Sequence, residues 1–286
     1  MALRLPSDLS GVSALAWPSA TPYPPRGFAA FEERSLGNGD TFGLYWPIGL
    51  ENQEPLVCEI VHDEWTMVPA FSDLSAFLRI TGPLDEFGPA EWPTLKDDER
   101  SPHACFAAAR EAVSKGSADE ACALLGRSIE RLPEYTAALS LLSAQCLRLG
   151  KHDEACRYAV RALRSPPSLG GDADLRKTWN WLSRQSQGPD DLADDPIWSK
   201  RTALATPPAG GSKQNDVYLV LAEAAAGYTD RGDIRAALSL WQAYAEFIWG
   251  ETVSFRERYG FTLAAHQERL RGLEARQPTG LRELAL

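Results

Sequence analysis

The sequence contains few of the residues that usually carry chemistry. Among its 286 residues there are 4 histidines, 2 methionines and 5 cysteines. The cysteine count is odd and no two cysteines form a Cys-x-x-Cys pair, so we expect free, buried thiols rather than disulfides or a zinc site. A nucleophile elbow, a phosphate-binding glycine loop and a His-Glu-x-x-His helix are also missing from the sequence. We therefore predict a protein that is not an enzyme, with no catalytic residues, no metal and no cofactor.

Long apolar runs are missing as well. No window approaches the roughly 18 consecutive apolar residues that a membrane helix requires, so we expect no membrane contact. The first twenty residues contain one early arginine, but Asp8, Ser10 and Gly11 interrupt any apolar core of a secretory signal. We therefore expect a cytoplasmic protein.

Negative charge is in excess, and the excess is confined to one part of the chain. Residues 1 to 100 contain 6 Lys and Arg against 16 Asp and Glu, whereas the remaining residues contain 23 of each sign. An acidic surface repels phosphate backbones and attracts basic proteins. The pattern predicts a basic protein partner and no direct nucleic-acid binding. The alternative, that the charge only aids solubility, stays open.

The sequence after residue 102 repeats itself. Two segments share an Asp-Glu-Ala-Cys core, in which Ala121 and Ala155 lie one 34-residue period apart. Further along the chain, Gly232-Asp233 matches Gly150-Lys151. This period resembles the tetratricopeptide (TPR) helix–turn–helix repeat. We predict an all-α TPR-like domain over residues 99–286. A Pro-, Gly- and Asp-rich stretch near 186–214 predicts a long loop within it.

The first hundred residues follow a different pattern. Short runs rich in aromatic and β-branched residues predict three antiparallel strands over 41–47, 55–61 and 65–69. The stretch 72–80 predicts a helix with Ser72 as its N-cap candidate, and residues 84–102 are predicted to form a linker. We predict an acidic α+β domain over residues 1–98, with no strand after the start of the repeats.

This domain resembles the SUKH superfamily over roughly residues 28 to 80. The resemblance rests on Gly37-Asn38-Gly39-Asp40 before an aromatic strand, and on a closing helix that carries Phe71, Asp73, Phe77 and Leu78. It implies an α+β sandwich. It also implies either an immunity protein that binds and blocks a bacterial toxin, frequently a nuclease, or an interaction module.

The tripeptide His62-Asp63-Glu64 could serve as a solvated turn, a partner contact or an acid–base cluster, and we favour the turn. The function that we predict is an immunity protein, which occludes the active site of a basic toxin encoded beside it. The alternative is a TPR-type adaptor that assembles other proteins. The acidic residues at turns and in the predicted loop are the candidate partner-binding residues: Asp40, Glu59, Asp63, Glu64, Asp73, Asp190, Asp191, Asp194 and Asp195.

Overall fold

The structure is a computed structural model that describes residues 14–16, 20–35, 39–81, 92–170, 172–211 and 213–276. The chain divides into two compact units. Pro24–Pro133 belong to the first unit, and Ala20–Tyr23 together with Glu134–Gln277 form the second. The boundary between the units therefore lies between Pro133 and Glu134 and not at residue 98, where the sequence predicted it, because the first helical hairpin belongs to the same unit as the sheet. Gly37 and Asn38 of the predicted turn lie outside the described residues.

A five-stranded antiparallel meander forms the described sheet of the first unit, and each strand pairs with its neighbours in sequence. Its strands are β1 (Ala14–Ala16), β2 (Phe28–Ser35), β3 (Thr41–Tyr45), β4 (Leu56–Val61) and β5 (Thr66–Phe71). Strands β3, β4 and β5 confirm the three predicted strands. Strands β1 and β2 were not predicted; β2 contains no β-branched residue, and half of it is Ala and Glu, which are depleted in strands.

One face of the sheet packs against helix α1 (Leu74–Thr81), which confirms the helix predicted over 72–80. Phe77 of this helix lies among Phe31, Phe42 and Phe71, with ring centroids 5.1 to 5.8 Å from its own. All four rings are fully buried. Tilted and edge-on aromatic contacts of this kind add about 0.5 to 1.5 kcal/mol per pair beyond area burial. The aromatic cluster therefore fixes α1 over the middle of the sheet.

Helices α2 (Pro102–Ser114) and α3 (Ala118–Arg131) belong to the same unit as the sheet. Ser101 caps α2, because its Oγ accepts a hydrogen bond from the Ala104 amide and donates one to the carbonyl of Ala70. At the far end of the hairpin, Arg131 donates hydrogen bonds to the carbonyls of Ser72 and Glu54. The first and last turns of the hairpin are thus bound to β5 and to the residues around it.

The second unit begins with α4 (Thr136–Arg148) and α5 (His152–Arg164) and ends with helices that surround α9. The further helices described there are α6 (Asp172–Leu182), α7 (Pro196–Ser199), α8 (Val217–Asp230), α9 (Ile234–Trp249), α10 (Val253–Arg258) and α11 (Leu263–Glu274). Among the residues that the structure describes, the strands lie before residue 72 and helices follow residue 101, which confirms the predicted order of an α+β region and a helical region. No described helix is long and apolar enough to cross a membrane.

Four helix pairs among the described residues share one turn geometry: α2–α3, α4–α5, α8–α9 and α10–α11. Each turn contains a glycine with positive φ, at Gly116 (82°), Gly150 (73°), Gly232 (77°) and Gly260 (65°). In each turn the residue after the glycine donates its amide to a carbonyl five residues earlier, as Lys151 does to Cys146. Only glycine adopts this left-handed conformation without strain. The sequence repeat therefore encodes a repeated helical hairpin; whether these are TPR units stays a prediction.

The stretch 186–214, predicted as a long loop, contains α7 and two short 3-10 turns, Asp190–Leu192 and Arg201–Leu204. Its anchor is Trp198, whose indole lies so close to Gly188 that an added Cβ there would overlap ring atoms. The Arg201 guanidinium covers the same ring at 4.0 Å from its centroid. Buried Leu192, Ile197 and Leu204 hold the segment against the helices, which composition alone did not reveal.

Candidate functional site

The turn between β4 and β5 contains His62, Asp63, Glu64 and Trp65. Asp40, which immediately precedes β3, fixes this turn, because its Oδ1 accepts the His62 amide at 2.7 Å. Gly39 (φ 95°) lies against the His62 ring, at a distance where an added Cβ would meet the ring at 3.0 Å. The Gly39-Asp40 pair therefore positions the turn.

The His62 ring points to solvent together with its neighbour. Its Nδ1 lies 3.2 Å from a carboxylate oxygen of Asp63, and the two side chains are 66% and 92% exposed. A general acid or base is normally held in a pocket by further partners. The geometry is that of a polar turn, which agrees with the interpretation favoured from the sequence.

Glu59 is the half-buried carboxylate of this end of the sheet. It stands on β4 opposite Phe42, and it accepts a hydrogen bond from the indole Nε1 of Trp92. Burial raises the pKa of Glu59; the bond from Trp92 lowers it in part, and the negative charge of Asp40 raises it further. A positive charge brought to Glu59 and Asp40 would relieve both unfavourable effects.

Two exposed indoles stand beside these acids. Trp65 is 44% exposed and Trp92 is 42% exposed, although both are large apolar side chains. Trp92 is held edge-on against His103 at 4.5 Å between ring centroids. Burial, with a smaller contribution from Arg110, lowers the pKa of His103 to about 4, so the imidazole is neutral at pH 7. We call this surface the acidic hairpin end: Asp40, Glu59, Asp63, Glu64, Trp65 and Trp92.

Asp73, a fifth candidate in this unit, lies at the opposite end of β5 from the turn. Its Oδ1 accepts the Ala76 amide at 2.7 Å, so the side chain caps α1. It also lines a polar cavity of about 530 Å³ beside α1. The buried Asp98, which accepts the Ser72 amide there at 2.7 Å, was not among the predicted site residues. The structure thus separates Asp73 from the acidic hairpin end.

The four aspartates of residues 190–195 divide into two groups. Asp191 forms a two-pronged ion pair with Arg157, which lowers the pKa of the carboxyl. Asp195 caps α7 and accepts the hydroxyl of Tyr228 at 2.7 and 2.8 Å. Asp190 and Asp194 are exposed. Asp191 and Asp195 therefore already have partners within the second unit.

A cysteine and a histidine meet on α5, where Cys156 Sγ lies 3.7 Å from His152 Nδ1. Burial raises the pKa of the Cys156 thiol to about 11, so the thiol is protonated at neutral pH. A protonated thiol is a poor nucleophile and a poor metal ligand. In the described part of the chain, no group of three or more His, Cys, Asp or Glu side chains could hold a metal ion.

Comparison with known proteins identifies the family. The chain is 34% identical over 254 residues to the Uncharacterized protein YfbP of Escherichia coli (strain K12), and the match covers 88% of each sequence. The chain belongs to the YfbP family. The model of the YfbP N-terminal domain matches residues 16–88, and that of the YfbP C-terminal domain matches residues 209–278. The YfbP N-terminal domain thus contains β2 to β5, α1 and most of the acidic hairpin end.

Proposed function

We propose that this YfbP-family chain is a non-enzymatic binding protein, which docks on a basic protein through the acidic hairpin end. The observation that carries the proposal is the pairing of exposed carboxylates with two exposed indoles, Trp65 in the turn after β4 and Trp92 hydrogen-bonded to Glu59 on β4. In its most specific form, the partner is a bacterial toxin, such as a nuclease, and docking covers its active site. The resemblance to SUKH immunity proteins supports that form.

The charge distribution supports a basic partner. The first hundred residues contain sixteen acidic but only six basic residues. Among the acids, Asp63 and Glu64 are exposed to solvent. Complementary charge speeds diffusional encounter and excludes wrong partners. A nuclease needs a positive cleft to hold phosphate, so an acidic inhibitor fits that class of target.

The indoles supply what charge alone does not. Tryptophan is enriched among the few interface residues that dominate binding energy, where truncation costs about 2 kcal/mol or more. An exposed indole face also attracts Lys and Arg side chains. A surface that served solubility alone would gain nothing from leaving Trp65 and Trp92 nearly half exposed.

The proposal is tested by the salt dependence of association with the protein encoded beside this chain. Asp63→Lys, Glu64→Lys should lower the association rate constant by about tenfold at low salt and remove most of its salt dependence. Asp190→Lys, Asp194→Lys makes the same change of charge at exposed acids of the second unit and serves as the matched control. Equal association rates for the two variants and the wild type would refute docking through the acidic hairpin end.

The indoles are tested by dissociation rates. Trp65 has φ 52°, so Trp65→Asn keeps a residue that tolerates this conformation. Loss of a central indole should speed dissociation by roughly 30-fold, which corresponds to about 2 kcal/mol. Dissociation within twofold of the wild type would show that Trp65 stays outside the interface.

A second function, that of an adaptor, is favoured by the repeated helical hairpins, because arrays of such pairs commonly form extended binding surfaces. A growth assay separates the two. A toxin inhibitor rescues cells that express the neighbouring gene product, and the Asp63→Lys, Glu64→Lys variant loses the rescue. An adaptor binds without rescuing growth.

A further inference from the structure

The second unit contains a short segment from far upstream in the chain. Ala20–Tyr23 group with this unit rather than with the residues that follow them. The contact that fixes the segment joins residues 220 positions apart: Gln242 Nε2 on α9 donates to the carbonyl oxygen of Pro22 at 2.7 Å. Pro22 and Tyr23 are buried. The helical unit therefore holds a bent, proline-containing peptide of its own chain.

The Gln242 side-chain amide that binds this peptide is itself held in place by hydrogen bonds through Glu246. Gln242 Nε2 also donates to Glu246 Oε1 at 2.9 Å, one turn further along α9. The other carboxylate oxygen, Glu246 Oε2, accepts the backbone amide of Ser168 at 2.9 Å. Because its orientation is set before the peptide arrives, the Gln242 amide loses little entropy when it binds a carbonyl.

The peptide side of the contact is equally simple. The sequence Thr21-Pro22-Tyr23-Pro24-Pro25 is biased towards an extended backbone, because proline fixes φ and restricts the residue before it. Thr21 Oγ1 closes a local turn with the backbone of Tyr23, donating to its carbonyl and accepting its amide. Extended proline-rich peptides offer free carbonyls and a low ordering cost, so they are suited to exchange between partners.

We propose that Gln242 and Glu246 form a receptor site for a short proline-containing peptide, that Ala20–Tyr23 are its resident ligand, and that a partner segment of the same chemistry displaces them. The site shares no residue with the acidic hairpin end. It does not depend on the function proposed above.

A tethered ligand competes strongly with an added one. Short tethers give effective concentrations on the order of millimolar. For an intrinsic Kd of about 100 μM and an effective concentration of about 10 mM, the resident segment weakens the binding of an added peptide about 100-fold. The site is thus largely closed in the resting chain, and it opens when the resident segment is weakened.

The test uses a fluorescent peptide with the sequence of residues 19–26, SATPYPPR, added to the full-length chain. Tyr23→Ser removes the buried ring of the resident ligand and leaves the receptor unchanged. We expect the peptide to bind this variant at least tenfold more tightly than the wild type. A peptide with glycine in place of every proline should bind it at least tenfold more weakly.

The receptor is tested in the Tyr23→Ser background. Gln242→Leu should abolish binding, and Gln187→Leu, at an exposed glutamine, should leave it unchanged. If thermal melts show that Gln242→Leu is unfolded, Gln242→Met takes its place. Failure of the peptide to bind Tyr23→Ser, or binding that persists in a folded Gln242 variant, would overturn the proposal.

Discussion

Replacing Arg131 tests whether the first helical hairpin is integral to the sheet unit. Its guanidinium donates to the carbonyl of Ser72 through Nε at 3.1 Å and Nη2 at 2.7 Å, and to that of Glu54 through Nη2 at 2.6 Å. Burial lowers the pKa of Arg131, so its charge depends on these bonds to offset desolvation. Methionine keeps the apolar stem and removes every donor.

The expected cost follows from the two carbonyls. Ser72 is 2% exposed, and a buried carbonyl that loses its partner costs about 1 to 3 kcal/mol. Glu54 is exposed, so water replaces the lost donor and the cost there is small. Removal of a partly buried charge returns some of its desolvation. We expect Arg131→Met to destabilise the first unit by about 2 to 3 kcal/mol.

The assay is thermal unfolding combined with amide hydrogen exchange across β5 and α1. A loss of 2 to 3 kcal/mol lowers the midpoint by roughly 5 to 10 °C for a domain of this size. Arg110→Met, at an exposed position on α2, is the matched control and should stay within about 0.5 kcal/mol of the wild type. An Arg131→Met protein as stable as the control, with unchanged exchange in β5, would refute the reasoning.

Three further predictions concern the second unit and a glycine pair. Gly188→Ala forces a Cβ into the Trp198 ring and should lower the free energy of unfolding by about 1 to 3 kcal/mol. Gly126→Ala, in open space within α3, should instead raise it by about 0.5 to 1 kcal/mol. Chemical denaturation of the two variants measures both changes. Asp195→Ala removes the α7 cap and the Tyr228 acceptor and should lower the melting temperature, unlike Asp190→Ala; equal melts would show that the cap is dispensable. Burial raises the pKa of Glu246 from 4.5 to about 7, so its contribution to stability is complete below pH 4.5 and is lost as the pH rises through 7. Denaturation between pH 5 and 8 should show this fall in the wild type and in Glu257→Gln, but not in Glu246→Gln.

Local patterns predicted the parts of the fold that depend on local physics. Short runs of aromatic and β-branched residues predicted β3 to β5, and the glycines at positions 150 and 232 marked two of the hairpin turns, because only glycine adopts a positive φ there without strain. Strand β2 could not be predicted in the same way, because its residues Phe28–Ser35 include no β-branched side chain. The helical turns of residues 190–204 escaped because their stability comes from Trp198 and Arg201, which meet through tertiary contacts.

The sequence predicted which acidic residues of the candidate site are exposed better than it predicted the residues that they contact within the chain. Turn position predicted Asp63 and Glu64 as exposed acids, whereas the Trp92 indole reaches Glu59 across 33 residues of sequence. Asp191 and Asp195 looked like free acids because their partners, Arg157 and Tyr228, lie 34 and 33 residues away. A charged residue in a sequence is predicted to lie on the surface. Whether its side chain is available to a partner depends on tertiary contacts within the chain.

The division of the chain shows the same limit at the scale of domains. The 34-residue repeat runs through α2–α3 and α4–α5 alike, so periodicity assigns both hairpins to one array. The structure places α2–α3 with the sheet, because Ser101 donates to Ala70 and Arg131 donates to Ser72. These polar contacts lie at the two ends of the hairpin and leave its repeated interior unchanged. A helical hairpin can therefore keep the residue pattern of the repeat in its interior while the residues at its two ends bind it to a different element. The boundary between two structural units then lies inside a series of sequence repeats.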